Sequence, residues 1–258
     1  MTKDQFSSRC EGEISSNLHS SSAIIYHIRP SFLFIVHCLA ILVLVLLHLG
    51  LSWLQIATGR DHVLGLSSRL QFHGETSIPA FFSAAMLLLA AIVAVVLARA
   101  DVGQGGRDRR AWGFITFLLL YMAVDEATAI HEVFSNLRDQ RPENGLLYGF
   151  WVVPFGGLAL LCIAILLPFW LRLPAATKWW LAAAAVLFIA CAIGLELPEQ
   201  AMVARIGEEA ARLRWDFVAM VTVEEAGEML AVAMTLRALL HHLAMLRGPT
   251  GTVRVVLP

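Results

Sequence analysis

The residues of this chain that could do chemistry are acids set in apolar surroundings. The string YMAVDEATAIHEVF carries Asp125, Glu126, His131 and Glu132, and TVEEAGEML carries Glu224, Glu225 and Glu228. Glu196 stands at the end of another apolar run, and Glu75 with His73 lies in HGETSIP ahead of a further one. Grouped carboxylates with one imidazole are an oxygen-rich donor set, which suits iron or manganese best. Calcium, magnesium or zinc are the other candidates, and copper or a closed structural zinc site fits poorly. At about 100° per residue, Glu224, Glu225 and Glu228 fall within an arc of about 100° on a helix. Asp125 and Glu132, seven apart, nearly superimpose, with Tyr121 and Thr128 on the same stripe as candidate outer partners of the ligands. Surplus negative charge favours one or two bound metals, and Glu196 extends the ligand list to eight: Asp125, Glu126, His131, Glu132, Glu196, Glu224, Glu225 and Glu228. Glu75 and His73 are possible additions.

The elements that position these acids follow from composition. Of 258 residues, 58% are hydrophobic and only 15% charged, with a mean hydropathy of +0.71, a balance suited to lipid as solvent. Six apolar runs are each long enough to cross a hydrocarbon core of roughly 30 Å. They cover about Pro30 to Leu54, Pro79 to Leu97, Trp112 to Phe134, Leu146 to Leu171, Lys178 to Glu196 and Trp215 to Leu240. The fold class is therefore all-α, a polytopic transmembrane bundle over 30–240. A flexible tail is expected over 1–29 and a short one over 241–258. The start of the chain lacks the apolar core of a cleaved secretory signal.

Counting Lys and Arg in the connections gives twelve on the side of both termini against seven on the other, so both termini are expected in the cytoplasm. Trp112, Trp179, Trp180 and Trp215 fall at span ends, where interfacial indoles are favoured. An acid at the centre of a membrane helix costs roughly 2.5 to 3.5 kcal/mol on insertion scales. The acids should therefore face inward, at one level toward the outer side, where Arg138, Arg141, Arg212 and Arg214 are the cations within range.

Other features exclude chemistry. A net charge of −1 and the lack of a basic run speak against nucleic acid. Lipid is the partner that the composition implies; it says nothing of oligomers. No CxxC pair, GxSxG, Walker loop, dinucleotide fingerprint or HExxH occurs. Glu196 and Glu75 also have a bland reading as solvated helix-end acids. His37 and His48, eleven apart on the first span, read as packing or hydrogen-bonding residues. The runs AAMLLLAA and LAAAAV read as surfaces for close helix packing.

At GETSIPAFFSAAMLLLAA, DEATAIHE, WVVPFG, GLE and EEAGEML the chain resembles a bacterial family of multipass membrane proteins to which no activity is attached. The resemblance spans the second to sixth helices. It implies a shared six-helix architecture and an acidic site carried by Glu75, Asp125, Glu126, His131, Glu132, Glu196, Glu224, Glu225 and Glu228. It places the protein in the bacterial inner membrane. The reading that follows is a membrane metalloprotein, with oxidoreductase chemistry as the leading reaction class. A transporter of protons or divalent cations using the same acids is the alternative, and a non-catalytic subunit or receptor the third.

Overall fold

The computed structural model describes residues 24–60, 65, 67–74, 77–102, 106–130, 152–247 and 253–257. Among these, six helical segments are long and apolar enough to cross a membrane. The first, α1 (Pro30–Thr58), opens on proline, whose fixed φ and missing N–H suit a helix start. It stops at Gly59, left-handed at φ 63°, whose N–H caps the Gln55 carbonyl at 2.8 Å. A short turn, α2 (Ser67–Leu70), leads to α3 (Ile78–Val102), and α4 (Arg109–Thr128) follows. Next come α5 (Val152–Arg172), α6 (Ala175–Ala192), α7 (Glu196–Ile206), α8 (Glu208–Arg212) and α9 (Trp215–Arg247).

The centre of the bundle is α9, which packs against α1, α3, α6 and α7, while α3 also packs along α4. Small side chains allow the α3–α9 contact: Ala90, Ala94 and Leu97 face a core that holds Met229, Leu236 and Leu239, all at most 1% exposed. The outside is apolar too. Phe81 is 75% exposed and Leu160 and Val186 are each 69% exposed, surfaces that water would penalise and lipid tails would not.

Four expectations are corrected here. The third span, expected to run unbroken to Phe134, is interrupted: α4 ends at Thr128 and Ala129 adopts a left-handed φ of 49°, its N–H closing on the Asp125 carbonyl, while 131–134 lie outside the described residues. Asp125 and Glu126 consequently lie in the last turn of α4. Trp112 is not an interfacial anchor: it is 2% exposed, edge-on to Phe169 at 4.9 Å and tilted over His242 at 5.3 Å. Its indole is covered because α5 and α9 converge on it. The connection after Glu196 is helical, as α7 and α8. Lastly, residues 24–28 and 253–257, expected in tails, form β1 (Ile24–Ile28) and β2 (Val253–Leu257). These pair antiparallel with Ile24 opposite Leu257, which brings both ends of the bundle to one side, as six crossings require.

On that same side Arg237 of α9 is held between aromatic rings, its guanidinium carbon 3.8 Å from the Trp180 centroid and 5.7 Å from that of Phe34. This stacking ties α1 and α6 to α9. Arg237→Met keeps the length of the side chain but loses the cation. It is expected to lower stability by about 1–2 kcal/mol in detergent unfolding. Trp180→Leu should cost a similar amount, and the double variant should cost clearly less than the two losses added together. Strict additivity would mean that the rings and the guanidinium do not interact.

Candidate metal centre

The site is built where α6 bends into α7. Pro198 has no N–H to offer the Gly194 carbonyl, and its ring crowds that carbonyl, so the ladder is interrupted. The bonds around the gap persist: Leu195 N–H reaches the Cys191 carbonyl at 3.2 Å and Glu199 N–H the Leu195 carbonyl at 3.2 Å. One bent crossing, Ala175–Ile206, results. Glycine is required at the bend, because a Cβ on Gly194 would collide with the Ala190 carbonyl oxygen. It is equally required on α9, where a Cβ on Gly227 would strike the Cys191 thiol. Gly227 thus lets α6 and α9 approach closely, one turn from Glu224.

That approach brings Glu196, Glu199 and Glu224 together, each offering a carboxylate oxygen within 4.8 Å of the others. Two oxygens on opposite sides of a cation at about 2.3 Å stand about 4.6 Å apart, so the spacing is within a divalent ion's reach. Glu199 and Glu224 stand side by side, near enough for their carboxyls to act on each other. They are only 7% and 8% exposed, and Glu199 Oε1 is buried with no hydrogen-bond partner among the described residues. Glu196, half-buried, accepts from Gln200 Nε2 at 2.8 Å.

A second tier lies on the neighbouring face of α9. Glu225 and Glu228 are half-buried, and the strongest outside charge on each is that of Glu126; Asp125 also acts on Glu228. The charges that act on Glu224, Glu225 and Glu228 are those of other carboxylates. Of the arginines expected to neutralise them, Arg212 pairs with Glu208 and Arg214 with Asp216.

The candidates divide accordingly. Across three helices, the charge of Glu196 acts on Glu224, Glu225 and Glu228, that of Glu126 on Glu225 and Glu228, and that of Asp125 on Glu228. Glu75, His131, Glu132, Arg138 and Arg141 lie outside the described residues. His73 stands beside His48, ring centroids 6.4 Å apart. Tyr121, half-buried, lies 6.4 Å from the Phe155 ring, and the charge of Asp125 acts on it. Thr128 is exposed and donates to the Val124 carbonyl of its own helix at 2.6 Å. Glu199 was missed in the sequence. Its signal was the spacing of three from Glu196, which places both on one helical face once the segment is read as helix.

Six apolar crossings around a carboxylate cluster define a polytopic α-helical membrane protein with an acidic interior. The chain belongs to the family described as Domain of unknown function (DUF8692), whose model matches residues 35–243. No curated protein and no solved structure matches it.

Proposed function

We propose that this protein is a membrane metalloprotein that holds one or two divalent cations between α7, α9 and α4. Glu196, Glu199 and Glu224 are the first ligand set, with Glu225, Glu228, Glu126 and Asp125 beside it. The observation that carries the reading is Glu199: a buried carboxyl oxygen with no described hydrogen-bond partner, facing two further carboxyls, is best balanced by a cation. An all-oxygen set favours iron, manganese, magnesium or calcium, and of these iron or manganese would support oxidoreductase chemistry. The Lys and Arg count supports cytoplasmic termini, so the cluster would open toward the outer half. The family resemblance supports the bacterial inner membrane.

A second reading, transport of protons or divalent cations, is favoured by the bend between α6 and α7 and by the closeness of the Glu199 and Glu224 carboxyls there. Discontinuous helices with midplane acids are a recurrent transporter device. Elemental analysis of detergent-purified protein separates the two. Near-stoichiometric iron or manganese that survives dialysis supports the metalloprotein, whereas no retained metal together with cation or proton flux in proteoliposomes replaces it with the transporter.

A further inference from the structure

Between α6 and α9 there is room for a thiol and nothing more. A Cβ on Gly227 would fall more than 1 Å inside the roughly 3.5 Å at which heavy atoms rest against the Cys191 sulfur, with Leu187 Cδ1 at 3.9 Å beside it. The same thiol donates to the Val223 carbonyl at 3.8 Å. Cys191 thus rests on the one turn of α9, 223–227, that carries Glu224. Its own backbone leads to the other two acids: the Cys191 carbonyl takes the Leu195 N–H and the Leu195 carbonyl takes the Glu199 N–H, each at 3.2 Å. These bonds splint the bend at Gly194, so Glu196 and Glu199 follow Cys191 when it shifts. Any change in the gap between Cys191 and Gly227 is therefore passed on to three carboxyls whose oxygens lie within 4.8 Å of one another.

An oxygen cage discriminates between ions by its width. Magnesium holds oxygens at about 2.1 Å and calcium at about 2.5 Å, so two oxygens facing each other across the ion must part by about 0.8 Å to exchange one for the other. Moving α6 from α9 by about 1 Å, as a Cβ on Gly227 would require, spans that difference. The seam has little slack to absorb the change in some other way. Cys191 is buried, and so is Ala184, seven residues before it on the same face of α6.

We propose that the contact of Cys191 with Gly227 sets the width of the Glu196, Glu199 and Glu224 cluster and makes it selective for divalent ions smaller than calcium. This selectivity rests on the metal reading of the cluster. The full chain in detergent, freed of metal by a chelator, is titrated with manganese and with calcium, and the rise in unfolding midpoint reports binding. Wild type should bind manganese the more tightly. Gly227→Ala should lower the ratio of manganese to calcium affinity about tenfold, whereas a general loosening of the fold would weaken both ions alike. Adding Cys191→Ala to Gly227→Ala should restore the ratio, because the new methyl then meets only the Cβ of residue 191 at 3.4 Å, an ordinary contact. Cys191→Ala alone lets the helices settle closer and should raise the ratio; it decides the question if Gly227→Ala fails to fold. A wild type that binds neither ion overturns the metal reading and the selectivity together. A wild type that binds manganese but prefers calcium, or whose ratio the deciding variant leaves unchanged, overturns the selectivity alone.

Discussion

Glu224→Gln is expected to leave the protein folded and to strip it of metal. Glutamine matches glutamate in shape and keeps one acceptor oxygen, but it removes a charge from a group of three carboxylates whose oxygens lie within 4.8 Å. Altering a mere outer partner of a metal ligand costs about 10–100-fold in affinity, so loss of a charged ligand should cost at least that much. Glu199→Gln should behave alike. Glu208→Gln and Asp216→Asn, which remove acids already paired with Arg212 and Arg214, should bind manganese as wild type does. Stability gives an independent readout. A cation that binds only the folded state at 100 times its Kd adds about 2.7 kcal/mol, so manganese should raise the unfolding midpoint of wild type and not of Glu224→Gln. If the acids are held by shared protons alone, the sign reverses. Glu224→Gln then relieves crowding among carboxyls and stabilises the protein with no response to manganese, and the metal centre is abandoned.

The crossings were legible because lipid imposes a crude rule: about twenty apolar residues must satisfy their own backbone in a helix. Local chemistry that breaks a helix was less legible. Pro198 reads as a helix end from sequence, since proline usually stops a helix, yet here the chain bends and continues, carrying Glu199 into the interior. Ala129 gave no warning at all: left-handed backbone at alanine is unfavourable, and no glycine marks the stop of α4. The acids of α4 and α9 and their inward grouping were visible by type and spacing, whereas the contacts that bring them together were not. That grouping depends on Gly227 admitting Cys191 and on Gly194 admitting the Ala190 carbonyl, contacts far apart in sequence or hidden in a bend. Trp112 shows the same limit, because an indole at a span end is interfacial only when no neighbouring helix covers it.

Leu97→Ala should cost about 2 kcal/mol or more in detergent or nanodisc unfolding, while Leu88→Ala, nine residues earlier on the same helix, should cost close to nothing. In water both truncations would lose transfer free energy in proportion to their burial, and buried leucines lose about 2–5 kcal/mol through transfer and cavity terms together. In lipid the transfer term largely drops out, because acyl chains are as apolar as the protein interior, and packing remains. Leu97 is 0% exposed in the core shared with α9, so alanine there leaves a cavity lined by a rigid alanine-rich contact that cannot close. Leu88 is 48% exposed, and acyl chains can fill the space its side chain vacates. Equal losses at the two positions would mean that the outer face of α3 is covered by protein rather than by lipid. Equal tolerance would mean that α3 and α9 are not packed at Leu97, and the close approach on which the core depends would be lost with it.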